Sequence, residues 1–329
     1  MLKDSWGRKI TYLRISVTDR CNFRCVYCMP PEGLVWQPHS AIMSYEEIAE
    51  LVRVAAAQGV KRVRLTGGEP LVRADLPLLI RMLADIPGIE DLSLTTNATL
   101  LERYAVELAQ AGLNRVNISL DTLNAEKFAQ ITRGGSLERV IRGIDAAERA
   151  GLLPIKINAV AMRGINDDEF FDLARLTTDH PWHLRFIELM PLGNQKPWGP
   201  EFPSPQQAFI SIQEIFDLLS PLGLVPEDGL AGSGPAIEYR LAGGIGKIGF
   251  ISPLSEHTFC QRCNRLRLTA DGYLRPCLMS NQEIPVLPTL RSGKSVLPVL
   301  QEAVAAKPES HKLATESAPE GRKMIQIGG

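Results

Sequence analysis

Between residues 11 and 17 (Tyr-Leu-Arg-Ile-Ser-Val-Thr) apolar and polar side chains alternate with a period of two, the pattern of a strand with one buried and one polar face. Similar runs recur at 62–66, 91–96, 115–120, 155–160 and 183–189. Helical spacing separates them. Ser44 and Glu47 form a capping-box pair, after which Ile48, Leu51, Val52 and Ala55 recur at helical intervals until Gly59. From Ser136 to Ala150, the residues Leu137, Val140, Ile141, Ile144 and Ala147 share one face, and Gly151 supplies the stop. Strand-helix units in such succession predict a parallel sheet with right-handed crossovers.

Strands covered by helices on both faces read as continuous apolar runs, and these do not. One face carries Leu13, Ile15, Val17, Val63, Leu65, Leu92, Leu94, Val116, Ile118, Leu120, Ile155 and Ile157. The other carries Arg14, Ser16, Thr18, Arg62, Arg64, Thr66, Thr95, Asn97, Asn117, Ser119, Asp121, Lys156 and Asn158. An α/β fold curved into an open, partial (β/α)6 TIM-like barrel, with a charged ligand in a polar lumen, satisfies this alternation; an eight-stranded barrel filled by its own side chains does not. The run 183–189 breaks the pattern, because Arg185 and Glu188 stand at opposite parity.

Beyond residue 190 the prolines and glycines Pro191, Gly193, Pro197, Gly199, Pro200, Pro203 and Pro205 mark a long loop. A helix follows from Ser211 to Leu219, then a Gly-rich stretch at 229–234 and short strands at 237–241 and 245–252. The expected division is a barrel domain over 1–220 and a C-terminal region over 221–329. Residues 308–329 read as polar and irregular and end in Ile327-Gly328-Gly329.

The 329 residues carry a formal net charge of −1 and a pI near 6.5, so no overall field recruits nucleic acid or an anionic membrane. No stretch approaches the roughly 20 apolar residues of a membrane helix, and the start lacks a signal-peptide core; a cytoplasmic protein is expected. All six cysteines fall in two sets of three, which in a reducing compartment points to metal rather than disulfides.

The first set, Cys21-Asn22-Phe23-Arg24-Cys25-Val26-Tyr27-Cys28, follows the first strand. That places it at the C-terminal mouth of the sheet, where such folds build active sites. Thiolates so spaced suit iron or zinc. With no fourth ligand nearby, a cluster with one open iron accounts for the set better than a zinc knuckle or packed thiols. The spacing, with an aromatic before the last cysteine, resembles that of the radical S-adenosylmethionine enzymes. The resemblance implies a [4Fe-4S] cluster on Cys21, Cys25 and Cys28 whose open iron binds S-adenosylmethionine and, on reduction, releases a 5′-deoxyadenosyl radical. Thr66-Gly67-Gly68-Glu69-Pro70 ends the second strand, with glycines that let backbone carbonyls approach a ligand. It resembles that family's holder of the methionyl ammonium. By the same resemblance Tyr27, Gly67, Gly68, Glu69, Thr95, Ser119 and Met190 are the cofactor-binding positions.

The second set is Cys260, Cys263 and Cys277, and a structural zinc completed by His257 is its competing reading. The longer run from Phe259 through Cys260-Gln261-Arg262-Cys263-Asn264-Arg265-Leu266-Arg267 to Pro276-Cys277-Leu278 resembles the cluster segment of the molybdenum cofactor biosynthesis protein A family of GTP 3′,8-cyclases. The resemblance implies a second [4Fe-4S] cluster whose open iron takes the guanine base of GTP. It also gives Arg14, Arg64, Lys156, Arg185, Arg265 and Arg267 a task. Cations projecting from strand interiors need an anion, Asp121 and Glu69 are too few, and a triphosphate suits guanidinium forks. In that family Gly328 and Gly329 enter the active site, an electron donor reduces the cluster, and the next enzyme is the cyclic pyranopterin monophosphate synthase; a homodimer is compatible. Two other readings are a radical enzyme with an auxiliary cluster that modifies a peptide, and a non-catalytic zinc-binding protein.

Overall fold

The alternating strands assemble into one curved sheet whose parallel part is longer than the sequence pattern predicts. The computed structural model describes residues 1–192, 196–227, 235–256, 258–311 and 321–328. Gly193, the Gly-rich stretch 229–234, His257 and Gly329 lie outside the described residues. The predicted strands are present as β1 (Tyr12–Ser16), β2 (Arg62–Thr66), β3 (Asp91–Thr96), β4 (Arg115–Ser119), β5 (Lys156–Ala161) and β6 (His183–Glu188). They pair in parallel in sequence order. The C-terminal part adds β7 (Leu224–Pro226), β8 (Ile237–Leu241), β9 (Lys247–Ile251), β10 (Arg265–Leu268), β11 (Tyr273–Arg275) and β12 (Ile284–Pro285). Of these, β10 joins β1 and β9 joins β6, both in parallel, so the partial barrel is lengthened at both edges. Strand β9 pairs with β8 and β10 with β11, each antiparallel, and no pairing joins β9 to β10 among the described residues. The barrel is therefore open on the side where residues 252–264 pass from β9 to β10, carrying Cys260 and Cys263.

The predicted apolar face is the core. Leu13, Ile15, Val63, Leu65, Leu92, Leu94, Val116, Ile118, Ile155 and Ile157 are buried under the helices. Helix α1 (Tyr45–Ala57) begins at the expected capping box, the Ser44 hydroxyl accepting from Glu47 N (3.2 Å) while the Glu47 carboxylate accepts from Ser44 N (2.7 Å). The remaining crossover helices are α2 (Leu76–Ala84), α3 (Leu101–Gln110), α4 (Ala125–Thr132), α5 (Leu137–Arg149) and α6 (Phe170–Asp179). Helix α5 buries Val140, Ile144 and Ala147 on the predicted face. Truncating Ile144 to Ala would cost about 2–5 kcal/mol through lost burial and an unfilled cavity. The helix expected at 211–219 is α7 (Ile212–Leu219). Helices α8 (Leu287–Arg291) and α9 (Leu297–Ala305) escape the periodicity because each is short and begins Leu-Pro. Proline there is a first-turn residue rather than a breaker.

The parity break in β6 has a structural cause. Arg185 faces the lumen, whereas Glu188, fully buried at the strand end, accepts from the backbone N–H groups of Ile212 (3.1 Å), Leu254 (2.9 Å) and Ser255 (3.2 Å) and from the Ser255 hydroxyl. Glu188 thus anchors the start of α7 and the turn after β9. Near the C-terminus, Met324–Ile327 form a turn of helix, α10, with Ile325 and Ile327 buried, where the composition suggests only irregular chain. No helix among the described residues is long and apolar enough to cross a membrane.

Candidate functional site

The parallel strands end around a cavity of about 310 Å³ whose wall includes all six cysteines. Cys21, Cys25 and Cys28 come from the loop after β1, which is held mainly by backbone hydrogen bonds. Arg24 N donates to Thr132 O (3.1 Å), Val26 N to Ile131 O (2.9 Å) and Cys28 N to Cys25 O (2.9 Å). Arg133, in the left-handed conformation at the end of α4, donates through Nη1 to the carbonyls of Arg24 (2.9 Å) and Met29 (3.0 Å), which bracket Cys25 and Cys28. The turn after β2 packs against the same loop, with Gly68 N on Thr18 O (2.9 Å) and Glu69 N on Arg20 O (2.8 Å). A Cβ on Gly67 would meet Thr18 O at 2.5 Å, and one on Gly68 would meet Arg20 O at 2.2 Å. The glycines therefore let two backbones touch, besides lining the cavity where the sequence pattern places a ligand.

Each predicted cofactor-binding position lines the cavity: Tyr27, Gly67, Gly68, Glu69, Thr95, Ser119 and Met190. The Glu69 carboxylate is engaged with Thr96 Oγ1 (2.7 Å), Asn97 N (2.7 Å) and Leu71 N (3.1 Å), bracing β2 against β3. Burial still raises it to about 7. Asp121 accepts from Tyr27 Oη (2.8 Å) and Val160 N (2.8 Å), and burial raises it to about 6. Around these acids the first three thiols are all pushed upward. Burial is the leading cause for each; Glu69 adds to it at Cys21, raised to about 12, and the neighbouring sulfurs add to it at Cys25 and Cys28.

The second set behaves oppositely at one position. Burial opposes the Cys263 thiolate, but Arg265 and Lys307 bring the thiol down to about 6. Cys260 remains raised, mainly by burial, although the His311 backbone N–H donates to its sulfur. Cys263 N donates to Cys260 O (3.1 Å), while Cys277 arrives from the far end of β11. Among the described residues no three His, Cys, Asp or Glu side chains converge on one metal ion. A zinc site brings its sulfurs within about 2.3 Å of a common ion, whereas a cluster gives each thiolate its own iron. Each set presents three thiols to the cavity wall.

Of the predicted basic residues, Arg14, Arg64, Arg185, Arg265 and Arg267 line the cavity; Lys156 and Arg62 do not. The ladder sets Arg267, Arg14 and Arg64 side by side across β10, β1 and β2. Like charges in register repel. Burial, then Arg267 and Arg64, holds Arg14 well below the usual guanidinium range; burial is also the main reason that Arg64 and Arg267 fall to about 10. Lys156, at the foot of β5, falls to about 6 through burial and the charges of Arg185 and Arg115. Asp121 and Glu69 are indeed occupied elsewhere. Glu238 on β8, absent from the sequence reading, sits 3.3 Å from Arg185 Nη2 and partly answers its charge. The Tyr12 hydroxyl, Thr95 Oγ1, Asn158 Oδ1 and Arg185 Nε are buried on this wall without a hydrogen-bond partner among the described residues, the signature of a polar guest.

Tyr12, Lys307 and His311 also line the cavity and were not anticipated. Tyr12 shares parity with Arg14 and was legible as such; Lys307 and His311 lie in no motif. The tail returns to the site: Arg267 Nη1 donates to Gly328 O (2.9 Å), and the Ile325 N–H donates to the Cys28 sulfur.

Comparison with known proteins agrees with this geometry. Residues 15–177 match the family model described as the radical SAM superfamily, and residues 182–313 that described as Molybdenum Cofactor Synthesis C. The chain is 50% identical to a GTP 3′,8-cyclase of Pelotomaculum thermopropionicum and 48% identical to one of Alkaliphilus oremlandii, in each case over 100% of both chains. A third, from Moorella thermoacetica, is 49% identical over 100% of both. Among solved structures, Streptococcus suis SuiB bound to S-adenosylmethionine aligns over 83% of this chain with TM-score 0.59 and 15% identity, the chain spanning 61% of SuiB. The anSMEcpe structure with bound AdoMet aligns over 88% of this chain and 77% of that one, with TM-score 0.57 and 16% identity. Likeness at this identity concerns the fold alone, an open α/β barrel.

Proposed function

The chain belongs to the GTP 3′,8-cyclase family of radical S-adenosylmethionine enzymes, and from that premise we propose that it joins C3′ of the GTP ribose to C8 of guanine. The product is 3′,8-cyclo-7,8-dihydro-GTP, and the step is the first of molybdenum cofactor biosynthesis. The single observation that carries the reading is the shared cavity: both cysteine sets and five guanidinium side chains face one space.

The barrel part of the chain, assigned here to residues 1–220, holds S-adenosylmethionine and a [4Fe-4S] cluster on Cys21, Cys25 and Cys28. Reduced and bound together there, these two supply a 5′-deoxyadenosyl radical. Gly67, Gly68, Thr95, Ser119 and Met190 line the place for the methionyl and ribose groups, with the turn offering its carbonyls since the Glu69 carboxylate is engaged. Tyr27, fixed by Asp121, closes one side. The C-terminal region, 221–329, supplies Cys260, Cys263 and Cys277 for a second [4Fe-4S] cluster facing the base. Arg14, Arg64, Arg265 and Arg267 hold the triphosphate, with Arg185 and Lys156 beneath them. An anion of about four charges relieves the repulsion of the Arg267–Arg14–Arg64 row, so binding energy and orientation have one source. Held at both ends, GTP presents C3′ to the radical source, and positioning makes a reactive species selective. The arrangement further requires an electron donor, and the cyclic pyranopterin monophosphate synthase is the enzyme that consumes the product.

Anaerobic reconstitution with iron and sulfide tests the reading. About eight iron atoms per chain and, after reduction, conversion of GTP with S-adenosylmethionine to the 3′,8-cyclic product are expected. Stoichiometric zinc without iron, or S-adenosylmethionine cleavage unaffected by GTP and with no cyclic product, would overturn it.

A further inference from the structure

Residues 1–9 belong to neither cysteine motif, yet they grip the second one. Asp4 to Arg8 form a turn closed by a Lys3–Lys9 bridge. The buried Asp4 carboxylate accepts from Trp6 N (3.0 Å), Arg8 N (2.9 Å) and Arg8 Nε (2.6 Å). So held, the Arg8 guanidinium aims its other nitrogens at three carbonyls: Nη1 at Cys260 (2.8 Å) and Glu309 (2.8 Å), Nη2 at Pro308 (2.5 Å). Trp6 Nε1 donates to Lys307 O (3.0 Å) and Ser5 Oγ to Ala305 O (3.3 Å). The segment 305–309 is therefore held at four carbonyls by one turn.

Lys307 completes the frame. Its side chain is buried, the residue being only 3% exposed, and Nζ donates to Arg265 O (2.9 Å) and Pro276 O (2.8 Å). Those carbonyls lie two residues after Cys263 and one before Cys277. An ammonium buried against neutral carbonyls alone costs several kcal/mol, so its place here calls for negative charge nearby. Among the described residues no strand pairing spans the gap between β9 and β10, so side chains must do what a ladder does elsewhere.

We propose that Arg8 and Lys307 are positioning residues for the second cluster: Arg8 fixes the Cys260 end, Lys307 fixes the arms bearing Cys263 and Cys277, and the turn at residues 4–8 joins the two. The inference rests on the two-cluster reading. Both act through backbone carbonyls beside the ligands, as outer-shell groups do in other metal sites.

The test uses the full chain with Cys21, Cys25 and Cys28 all replaced by alanine, so that only the second set binds iron. Reconstituted anaerobically, this parent holds about four irons. Arg8→Lys keeps the charge but not the three-carbonyl fork, and Lys307→Met removes charge and bonds together. Both variants are expected to release iron to a chelator about tenfold faster than the parent. Lys307→Met also lowers the cluster's midpoint potential, because a nearby cation favours the reduced, more negative state; Arg8→Lys leaves the potential unchanged. In a chain that retains its first three cysteines, both variants keep the iron of the first site. Iron release at the parental rate, or equal loss of iron from both sites, overturns the proposal. A parent that binds no iron refutes the two-cluster reading itself and this inference with it, and is recognised before any variant is made.

Discussion

Cys21, Cys25 and Cys28 stand on one loop, steadied by backbone hydrogen bonds and by a glycine turn pressed against it. Cys260, Cys263 and Cys277 come from two arms and are steadied by side chains from distant parts of the chain. Their electrostatic settings differ as much. The first set lies beside Glu69 and Asp121, the second beside Arg265 and Lys307. The difference matches the proposed guests. Acids near the first set suit a sulfonium and an ammonium, while cations near the second suit a nucleoside triphosphate. One cavity thus has acids beside one cysteine set and cations beside the other.

The largest effect expected from breaking this division is all-or-none. Cys21→Ala should bring 5′-deoxyadenosine formation below detection, whereas Cys260→Ala should abolish the cyclic product yet leave slow S-adenosylmethionine cleavage; chromatography of both products from one reaction decides. If both substitutions abolish cleavage equally, the two sets do not divide labour as described.

Gly68→Ala comes next, because its new Cβ would lie 2.2 Å from Arg20 O and backbone must shift. A core overpacking of this kind costs about 1–3 kcal/mol. The damage should fall on the first site: less iron retained by Cys21, Cys25 and Cys28, with the iron of the second set unchanged, as spectroscopy of each cluster would show.

Arg267→Ala removes a charge-assisted contact worth about 1.5–3 kcal/mol, so GTP should bind on the order of 10–100-fold more weakly in calorimetry. Cleavage of S-adenosylmethionine should persist uncoupled. Equal loss of both activities would count against placing this residue on the substrate side.

The smallest effect is in pH. Glu69 and Asp121 are raised to about 7 and about 6 in the fold, so between about pH 4 and 7 the folded chain keeps protons that the unfolded chain releases. These acids therefore make the metal-free chain less stable as pH rises through that window. Cys263, lowered to about 6, acts with the opposite sign: it adds stability as pH rises from about 6 towards the ordinary thiol value. Glu69→Gln should flatten the acid limb of a melting-temperature profile, and Cys263→Ser the alkaline limb. A profile unchanged by either substitution would remove the electrostatic contrast.

Much of this was legible in the order of residues. Period-two alternation separated the helix-covered face from the lumen, and the burial of Leu13, Val63, Leu92 and Val116 bears it out. The spacing of the first cysteines and the run through Cys277 pointed to the family that the relatives confirm. The glycines at 67 and 68 were read correctly as a close approach, though what approaches is the chain's own loop. Glu188 shows in the sequence only as a break in parity and Glu238 not at all, because parity describes a single strand and their partners come from residues 24 to 67 positions away.

What the sequence by itself determined is the local kind: which segments are strands, which face is polar and which family the chain joins. These follow from short-range periodicity and spacing. Only the tertiary structure decided that β10 lies beside β1 and puts Arg267 next to Arg14, that Gly328 reaches Arg267, and that Arg8 and Lys307 hold the second cysteine set. Each of these joins residues tens to hundreds of positions apart. No local pattern encodes such a pairing, because it is selected by burial and charge compensation across the whole folded chain.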